Sequence, residues 1–104
     1  MNNITPEEAN DLIKKGEANV IDVRTKEEFV SGHIGGAKNI DFNSPQFEEE
    51  LKKLDKHKCY IVNCQSGGRS SKATARMENL DFSNANLLLG GLSAWENSGL
   101  QTEK

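Results

Sequence analysis

The longest purely apolar run in the sequence, Cys59 to Val62, is only four residues long, and a loop of glycine and small polar residues follows it at once. A run this short cannot form a helix, so it predicts a strand that is buried on both faces and ends at Asn63. A helix that crosses a bilayer needs about 20 apolar residues, so we expect no membrane segment. The run therefore indicates the central strand of a globular fold.

Helix and strand patterns alternate on either side of this run. Thr5 with Glu8, and Thr25 with Glu28, form capping boxes that predict two helix starts. Ser44-Pro45 is expected to cap a further helix, and helices are also expected from about Ser70 and through Trp95. Further strands are expected over 19–23, 38–41 and 87–89, the last of which ends at Gly90-Gly91. Such alternation favours an α/β fold in which helices cover both faces of a mostly parallel sheet. The length of 104 residues fits one domain, residues 1–104.

The composition and the first residues bear on the size of the core, on binding to nucleic acid and on the expected location. Leu, Ile, Val and Phe make up 23 of the 104 residues, enough for a modest core. The net charge is −3, so the chain lacks the basic surface that binding to a nucleic-acid backbone requires. The first residues show no basic segment followed by an apolar stretch, so no secretory signal is evident and a cytoplasmic location is expected.

The loop from Cys64 to Ser70 carries the candidate chemistry. Ligands of open parallel sheets bind beyond the carboxyl ends of the strands, which is where this loop begins. Gly67 and Gly68 allow successive backbone N–H groups to converge on an anion at the start of a helix. Such a cradle lowers the pKa of a thiol, and Arg69 adds a permanent positive charge, so Cys64 is a candidate thiolate nucleophile.

The other cysteine and the two histidines do not indicate a second site. Cys59 has apolar neighbours and is expected to be a small buried hydrophobe. In an extended strand its Cα would lie about 16 Å from that of Cys64, with the side chains on opposite faces, which argues against a disulfide. His33, His57 and the cysteines lack the close spacing of zinc ligands, and His57 lies among lysines. We therefore predict no metal site and no cofactor.

Three blocks of the sequence resemble the signatures of rhodanese-like domains. The stretch from Val20 to Ile40 resembles the N-terminal signature of that family, the Cys64 to Ser70 loop is similar to its active-site loop, and Leu89 to Leu100 resembles its C-terminal signature. The blocks occur in the family's order and cover nearly the whole chain. The resemblance implies an α/β fold with a five-stranded, mostly parallel sheet. One departure is Gln101, where the family often has proline.

The resemblance also implies a sulfurtransferase. Cys64 would accept a sulfane sulfur from thiosulfate or a similar donor as a persulfide and pass it to cyanide, a small thiol or a thioredoxin-like acceptor. The rest of the loop would bind the donor anion and then hold the anionic persulfide. The residues expected to do so are Gln65, Ser66, Gly67, Gly68, Arg69 and Ser70.

Several other residues have a supporting role in the same resemblance. Asp22 and Arg24 correspond to an acid and a base that help to organise the active-site loop, although Arg24 could instead pair with Glu28 or another acid. Ser70 could simply cap the next helix. His33 resembles a histidine that holds a turn by hydrogen bonds, and Trp95 is expected to pack in the core.

Two other functions compete with the sulfurtransferase hypothesis. The neutral Gln65 and Ser66, and the absence of a lysine beside Cys64, leave open a persulfide relay or binding module fed by a partner protein. A phosphatase or an arsenate reductase is less favoured, because four residues separate Cys64 from Arg69 where related cell-cycle phosphatases have five. The shorter ring is tight for a tetrahedral oxyanion, and no general acid for a leaving group is evident.

Overall fold

The computed structural model describes residues 2–104, in which strands and helices alternate. The strands are β1 (Asn2–Ile4), β2 (Asn19–Asp22), β3 (Lys38–Asn39), β4 (Tyr60–Asn63) and β5 (Ala85–Leu88). The helices are α1 (Pro6–Lys14), α2 (Lys26–Ser31), α3 (Phe47–Lys52), α4 (Gly68–Asn79) and α5 (Gly91–Asn97). The strands form one sheet in the order β1-β5-β4-β2-β3, and every neighbouring pair is parallel. The predicted α/β fold is confirmed.

Helices cover both faces of this sheet. On one face, Phe47 and Leu51 of α3 and Met77 of α4 pack against alternate strand residues such as Ile21 and Val62. On the other face, Ala9 of α1 and Leu92 and Trp95 of α5 pack against the strand residues that point the opposite way, Ile4, Val20, Ile61 and Leu88. Because successive side chains of a strand alternate between faces, β4 contributes to both clusters and is buried at all four positions.

Both predicted capping boxes are present. The Thr5 hydroxyl accepts a hydrogen bond from the Glu8 backbone N–H, and the Glu8 carboxylate accepts one from the Thr5 N–H, at 3.1 and 3.0 Å. The Thr25 and Glu28 pair repeats the arrangement at the start of α2, at 3.2 and 3.1 Å. Each box satisfies N–H groups that the first helical turn leaves without partners.

Several elements differ from the prediction. Strand β3 ends at Asn39 rather than at residue 41, and β5 covers Ala85–Leu88 rather than 87–89. Strand β1 was not anticipated from the residues themselves, since only Ile4 of its three residues is buried and β5 supplies its pairing. Helix α3 begins at Phe47 after Gln46, so Ser44-Pro45 does not cap it. Helix α4 begins at Gly68, two residues before the predicted start.

The carboxyl-terminal residues fold back on the domain. The indole N–H of the buried Trp95 donates to the Gln101 carbonyl at 2.9 Å, and His33 and Glu103 exchange two backbone hydrogen bonds of 2.8 Å. These contacts define the course of the tail without the proline that is common in the family. None of the helices within residues 2–104 is both long enough and apolar enough to span a bilayer.

Candidate active site

Cys64 directly follows β4, the middle strand of the sheet. Its side chain is only 1% exposed and belongs to the core cluster on the α4 side. The Cys64 carbonyl accepts a 2.8 Å hydrogen bond from the N–H of Leu92, and the Gln65 carbonyl accepts one of 3.1 Å from the N–H of Ser93. The start of the candidate loop is therefore fastened to the first turn of α5.

The Cys64 Sγ is surrounded by hydrogen-bond donors. The Gly67 backbone N–H donates to it at 3.0 Å, and the Ser70 Oγ lies 3.3 Å away. Gly67 is the N-cap of α4 and has a φ of 115°, a backbone conformation that favours glycine. This turn directs the N–H of Gly67 back towards the sulfur, whereas the N–H of Gly68 is not among the donors that lower the pKa of the Cys64 thiol.

These contacts lower the pKa of the Cys64 thiol. Burial alone raises that pKa, because it disfavours the charged form. The Ser70 hydroxyl and the backbone N–H groups of Ser70, Gly67 and Ser66 outweigh burial by hydrogen bonding to the sulfur, and the net shift is downward. The Cys59 thiol differs, since burial raises its pKa and no comparable set of donors compensates.

The remaining loop residues occupy different environments. Ser66 and Gly68 are exposed, whereas Ser70 is buried inside α4. The possibility that Ser70 caps this helix is wrong, since Gly67 holds the N-cap position. The side-chain amide of Gln65 donates a hydrogen bond to the Ser93 hydroxyl at 3.0 Å.

Arg69 is paired with a carboxylate. Its Nη1 and Nη2 atoms donate to the two carboxylate oxygens of Glu28 at 2.7 and 2.9 Å. The hydrogen bonds from Arg69 lower the pKa of Glu28 to about 2. The reciprocal interaction with Glu28 raises the pKa of Arg69. Both side chains are about one-third exposed, at 30% and 34%, so the pair lies at the rim of the site.

Asp22 and Arg24 form a second pair, buried at the end of β2. Arg24 is 2% exposed and Asp22 is 0% exposed, and the Arg24 Nε and Nη2 atoms donate to the Asp22 carboxylate at 2.8 to 3.1 Å. The remaining Arg24 donors reach the Gln65 side chain at 3.3 Å and the Gly32 carbonyl at 2.7 Å. The suggestion that Arg24 pairs with Glu28 is thus wrong, and the alternative, that it pairs with another acid, is confirmed with Asp22 as that acid. The pair also contacts the Cys64 loop.

The histidines and Trp95 lie apart from this loop. His33 stacks on the Phe29 ring with centroids 3.9 Å apart, and its Nδ1 is 2.8 Å from the Phe29 carbonyl, which confirms a hydrogen-bonded structural role. His57 is exposed, and Trp95 is 3% exposed in the core. Cys59 is half-buried and precedes β4 rather than lying within it. Within residues 2–104, no group of three or more His, Cys, Asp or Glu side chains is placed to hold a metal ion.

A family model described as a rhodanese-like domain matches residues 5–98. The chain belongs to the rhodanese-like domain family. It is 38% identical to thiosulfate sulfurtransferase 16, chloroplastic, of Arabidopsis thaliana, with 91% of this chain and 87% of that protein covered. It is 34% identical to thiosulfate sulfurtransferase GlpE of Pseudomonas putida, with 88% of this chain and 82% of that protein covered.

Solved structures agree with this assignment. The crystal structure of a rhodanese-related protein from Thermoplasma volcanium superposes with a TM-score of 0.89 at 28% identity, and 99% of this chain and 98% of that chain are covered. The rhodanese-like fold is therefore shared over the whole length of the sheet and its helices.

Two contributors to this rhodanese-like site were not among the predicted site residues. Glu28 was identified as a helix cap and as one possible partner of Arg24, whereas in the structure it binds Arg69. Gly91 was interpreted only as the end of a strand, yet a Cβ at Gly91 would lie 2.5 Å from the Cys64 carbonyl oxygen. The Gly90-Gly91 pair was a usable signal, because a glycine in this position often marks a close approach of two backbone segments.

Proposed function

We propose that this rhodanese-like chain is a sulfurtransferase that carries a sulfane sulfur on Cys64. The observation that carries the proposal is the environment of the Cys64 sulfur, which lies 3.0 Å from the Gly67 N–H and 3.3 Å from the Ser70 hydroxyl. These donors favour a thiolate. The names of the two thiosulfate sulfurtransferase relatives support the same class of reaction.

In the first half-reaction, the Cys64 thiolate attacks the outer sulfur of thiosulfate. A bond forms between the cysteine sulfur and the sulfane sulfur, the bond to the sulfonate sulfur breaks, and sulfite leaves with the bonding pair. The product is a Cys64 persulfide with one negative charge on its outer sulfur. The backbone N–H groups of the 64–70 loop stabilise this charge because they are oriented before the reaction begins.

In the second half-reaction, a nucleophile removes the outer sulfur. Cyanide attacks that sulfur, the sulfur–sulfur bond breaks towards Cys64, and thiocyanate leaves as the thiolate is restored. A thiol acceptor in its thiolate form takes the sulfur as a new persulfide by the same displacement. Cys64 therefore acts as a covalent nucleophile in a double displacement.

The test is the intact mass of the protein after incubation with thiosulfate and again after addition of cyanide. We expect a gain of one sulfur atom that cyanide removes. Cys64→Ser must abolish the gain, and Cys59→Ser, which removes the second of the two cysteines, must leave it unchanged. A gain that survives Cys64→Ser, or a wild-type protein that no sulfane donor loads, would refute the proposal.

A persulfide relay fed by a partner protein is the second candidate. It is favoured by the pairing of Arg69 with Glu28, because this pair neutralises the cation of the loop that would otherwise attract a free anionic donor. A relay predicts poor turnover of free thiosulfate. A value of kcat/KM at or above about 10⁴ M⁻¹s⁻¹ with thiosulfate, the lower range of ordinary enzymes, would exclude it.

A further inference from the structure

Both arginines at the candidate site are already paired with carboxylates. Arg69 has its two terminal nitrogens on Glu28, at 2.7 and 2.9 Å. Arg24 is held by Asp22 through three hydrogen bonds of 2.8 to 3.1 Å. The formal charges of these four side chains sum to zero. The attraction of an anion to Cys64 therefore depends on the neutral backbone donors of the loop.

The two ion pairs differ in how well the protein would tolerate the loss of one partner. The Asp22 and Arg24 pair is almost completely buried, so removing one partner would leave an uncompensated charge in the core. The Glu28 and Arg69 pair is about one-third exposed, so Arg69 can remain solvated if the Glu28 charge is removed. The charge presented to a donor can thus be altered at Glu28 without disturbing the core.

We propose that Glu28 is the residue that sets the charge preference for the sulfur donor. This inference rests on the proposed sulfurtransferase function and names the donor class. By neutralising Arg69, Glu28 disfavours the thiosulfate dianion relative to sulfane donors that carry one negative charge, such as organic persulfides and thiosulfonates. Glu28 does not touch the reacting sulfur, so it is a positioning and charge-setting residue.

The expected effect follows from the charges of the donors. Removing the Glu28 charge leaves one additional positive charge near the site, and its attraction for an anion grows in proportion to the charge of that anion. The fold-change for a dianion is therefore the square of that for a monoanion. We expect a gain of roughly threefold for a monoanion and roughly tenfold for a dianion at low salt, since solvent screens charges at the rim.

The experiment compares two donors of similar shape, thiosulfate and methanethiosulfonate, in which a methyl group replaces one charged oxygen. The second-order rate constant for loading of Cys64 is measured with each donor by timed quenching and intact mass. In both reactions the thiolate takes the outer sulfur, and the leaving group is sulfite or methanesulfinate. The ratio of the two rate constants cancels any general effect on the thiolate.

Glu28→Gln is the informative variant, and Glu8→Gln is its matched control. Glutamine retains the capping box, because its side-chain oxygen still accepts from the Thr25 N–H. Glu8 occupies the equivalent position in the capping box of α1, so Glu8→Gln removes the same charge and makes the same chemical change. We expect the thiosulfate-to-thiosulfonate ratio to rise roughly threefold in Glu28→Gln and to stay at the wild-type value in Glu8→Gln.

The outcomes separate this inference from the proposed function. Loading of the wild type with an unchanged ratio in Glu28→Gln overturns the role of Glu28 and leaves the sulfurtransferase intact. No loading of the wild type by either donor overturns both. If Glu28→Gln does not fold, the salt dependence of the wild type decides: loading rates that do not fall with salt for either donor support neutralisation of Arg69, and a steep fall for thiosulfate refutes it.

Discussion

Ser70→Ala tests whether the hydroxyl beside Cys64 activates the thiolate. The Ser70 Oγ lies 3.3 Å from the Cys64 Sγ and 3.2 Å from the Gly67 carbonyl. When the sulfur is a thiolate, the hydroxyl donates to the sulfur. When the sulfur is protonated, the hydroxyl can donate to the Gly67 carbonyl instead and accept from the thiol. Ser70 therefore stabilises both the thiolate and the thiol form of Cys64, and only the difference between these two stabilisations affects the pKa of Cys64.

The expected size follows from that difference. A hydrogen bond to a charged group contributes about 1.5–3 kcal/mol. The contact is long and the thiol state retains a hydrogen bond, so we take a net preference for the thiolate of about 1 to 1.5 kcal/mol. The Ser70 hydroxyl favours the thiolate form of Cys64. Because Ser70→Ala removes this hydroxyl, it should raise the pKa of the Cys64 thiol. Below that pKa the rate of persulfide formation should fall roughly five- to thirteenfold.

The assay is the pH dependence of the first half-reaction. The loss should be greatest at low pH and should disappear at high pH, where the thiolate is fully formed in both proteins. Ser71→Ala makes the same change one residue further along α4 at an exposed position, and it should follow the wild-type profile. A loss that is equal at every pH would refute the reasoning, because it would indicate a change in geometry rather than in ionisation.

Three further predictions concern stability and are checked by urea denaturation. Gly91→Ala should cost at least about 2 kcal/mol more than Gly99→Ala, because both glycines have positive φ but only Gly91 would place a Cβ against Cys64 and Gln65; equal losses would contradict this. Asp22→Asn should cost about 3–5 kcal/mol by leaving Arg24 unpaired in the core, whereas Asp11→Asn, at an exposed position, should change stability by about 0.5 kcal/mol or less. The Arg69 hydrogen bonds lower the pKa of Glu28 from 4.5 to about 2, so the stabilisation they contribute should be complete above pH 4.5 and lost as the pH falls towards 2; a gap between the wild type and Glu28→Gln that stays constant over this range would disprove it.

Local signals account for the parts of the fold that were predicted correctly. The capping boxes at Thr5 and Thr25 act within four residues, so the sequence contains both partners of each hydrogen bond. The apolar residues of β4 leave little choice but a buried strand. Strand β1 has no such signal, because two of its three residues are asparagine, which is unfavourable in strands. Its conformation comes from pairing with β5, more than 80 residues away.

In the candidate site, too, the local features were predictable from the sequence and the long-range contacts were not. The loop from Cys64 to Ser70 is contiguous, so its composition was enough to predict that backbone donors would surround the sulfur. The partner of Arg69 was not predictable, because Glu28 lies 41 residues away and already satisfies a local pattern as a helix cap. A residue that completes a local motif gives no sequence signal of a second, long-range partner.

The dual use of Glu28 links the helix cap to the charge of the site. Its Oε1 accepts from the Thr25 N–H at 3.1 Å and from Arg69 at 2.7 Å, so the start of α2 and the candidate loop are held by one carboxylate. The other side of the loop is held by the N–H groups of Leu92 and Ser93. With both sides fixed, the donors around Cys64 would need little reorganisation in the proposed reaction, in which charge moves onto the outer sulfur of a persulfide. If both proposals hold, backbone geometry stabilises the intermediate at Cys64, while Glu28 at the rim separately sets the charge of the donor that the site accepts.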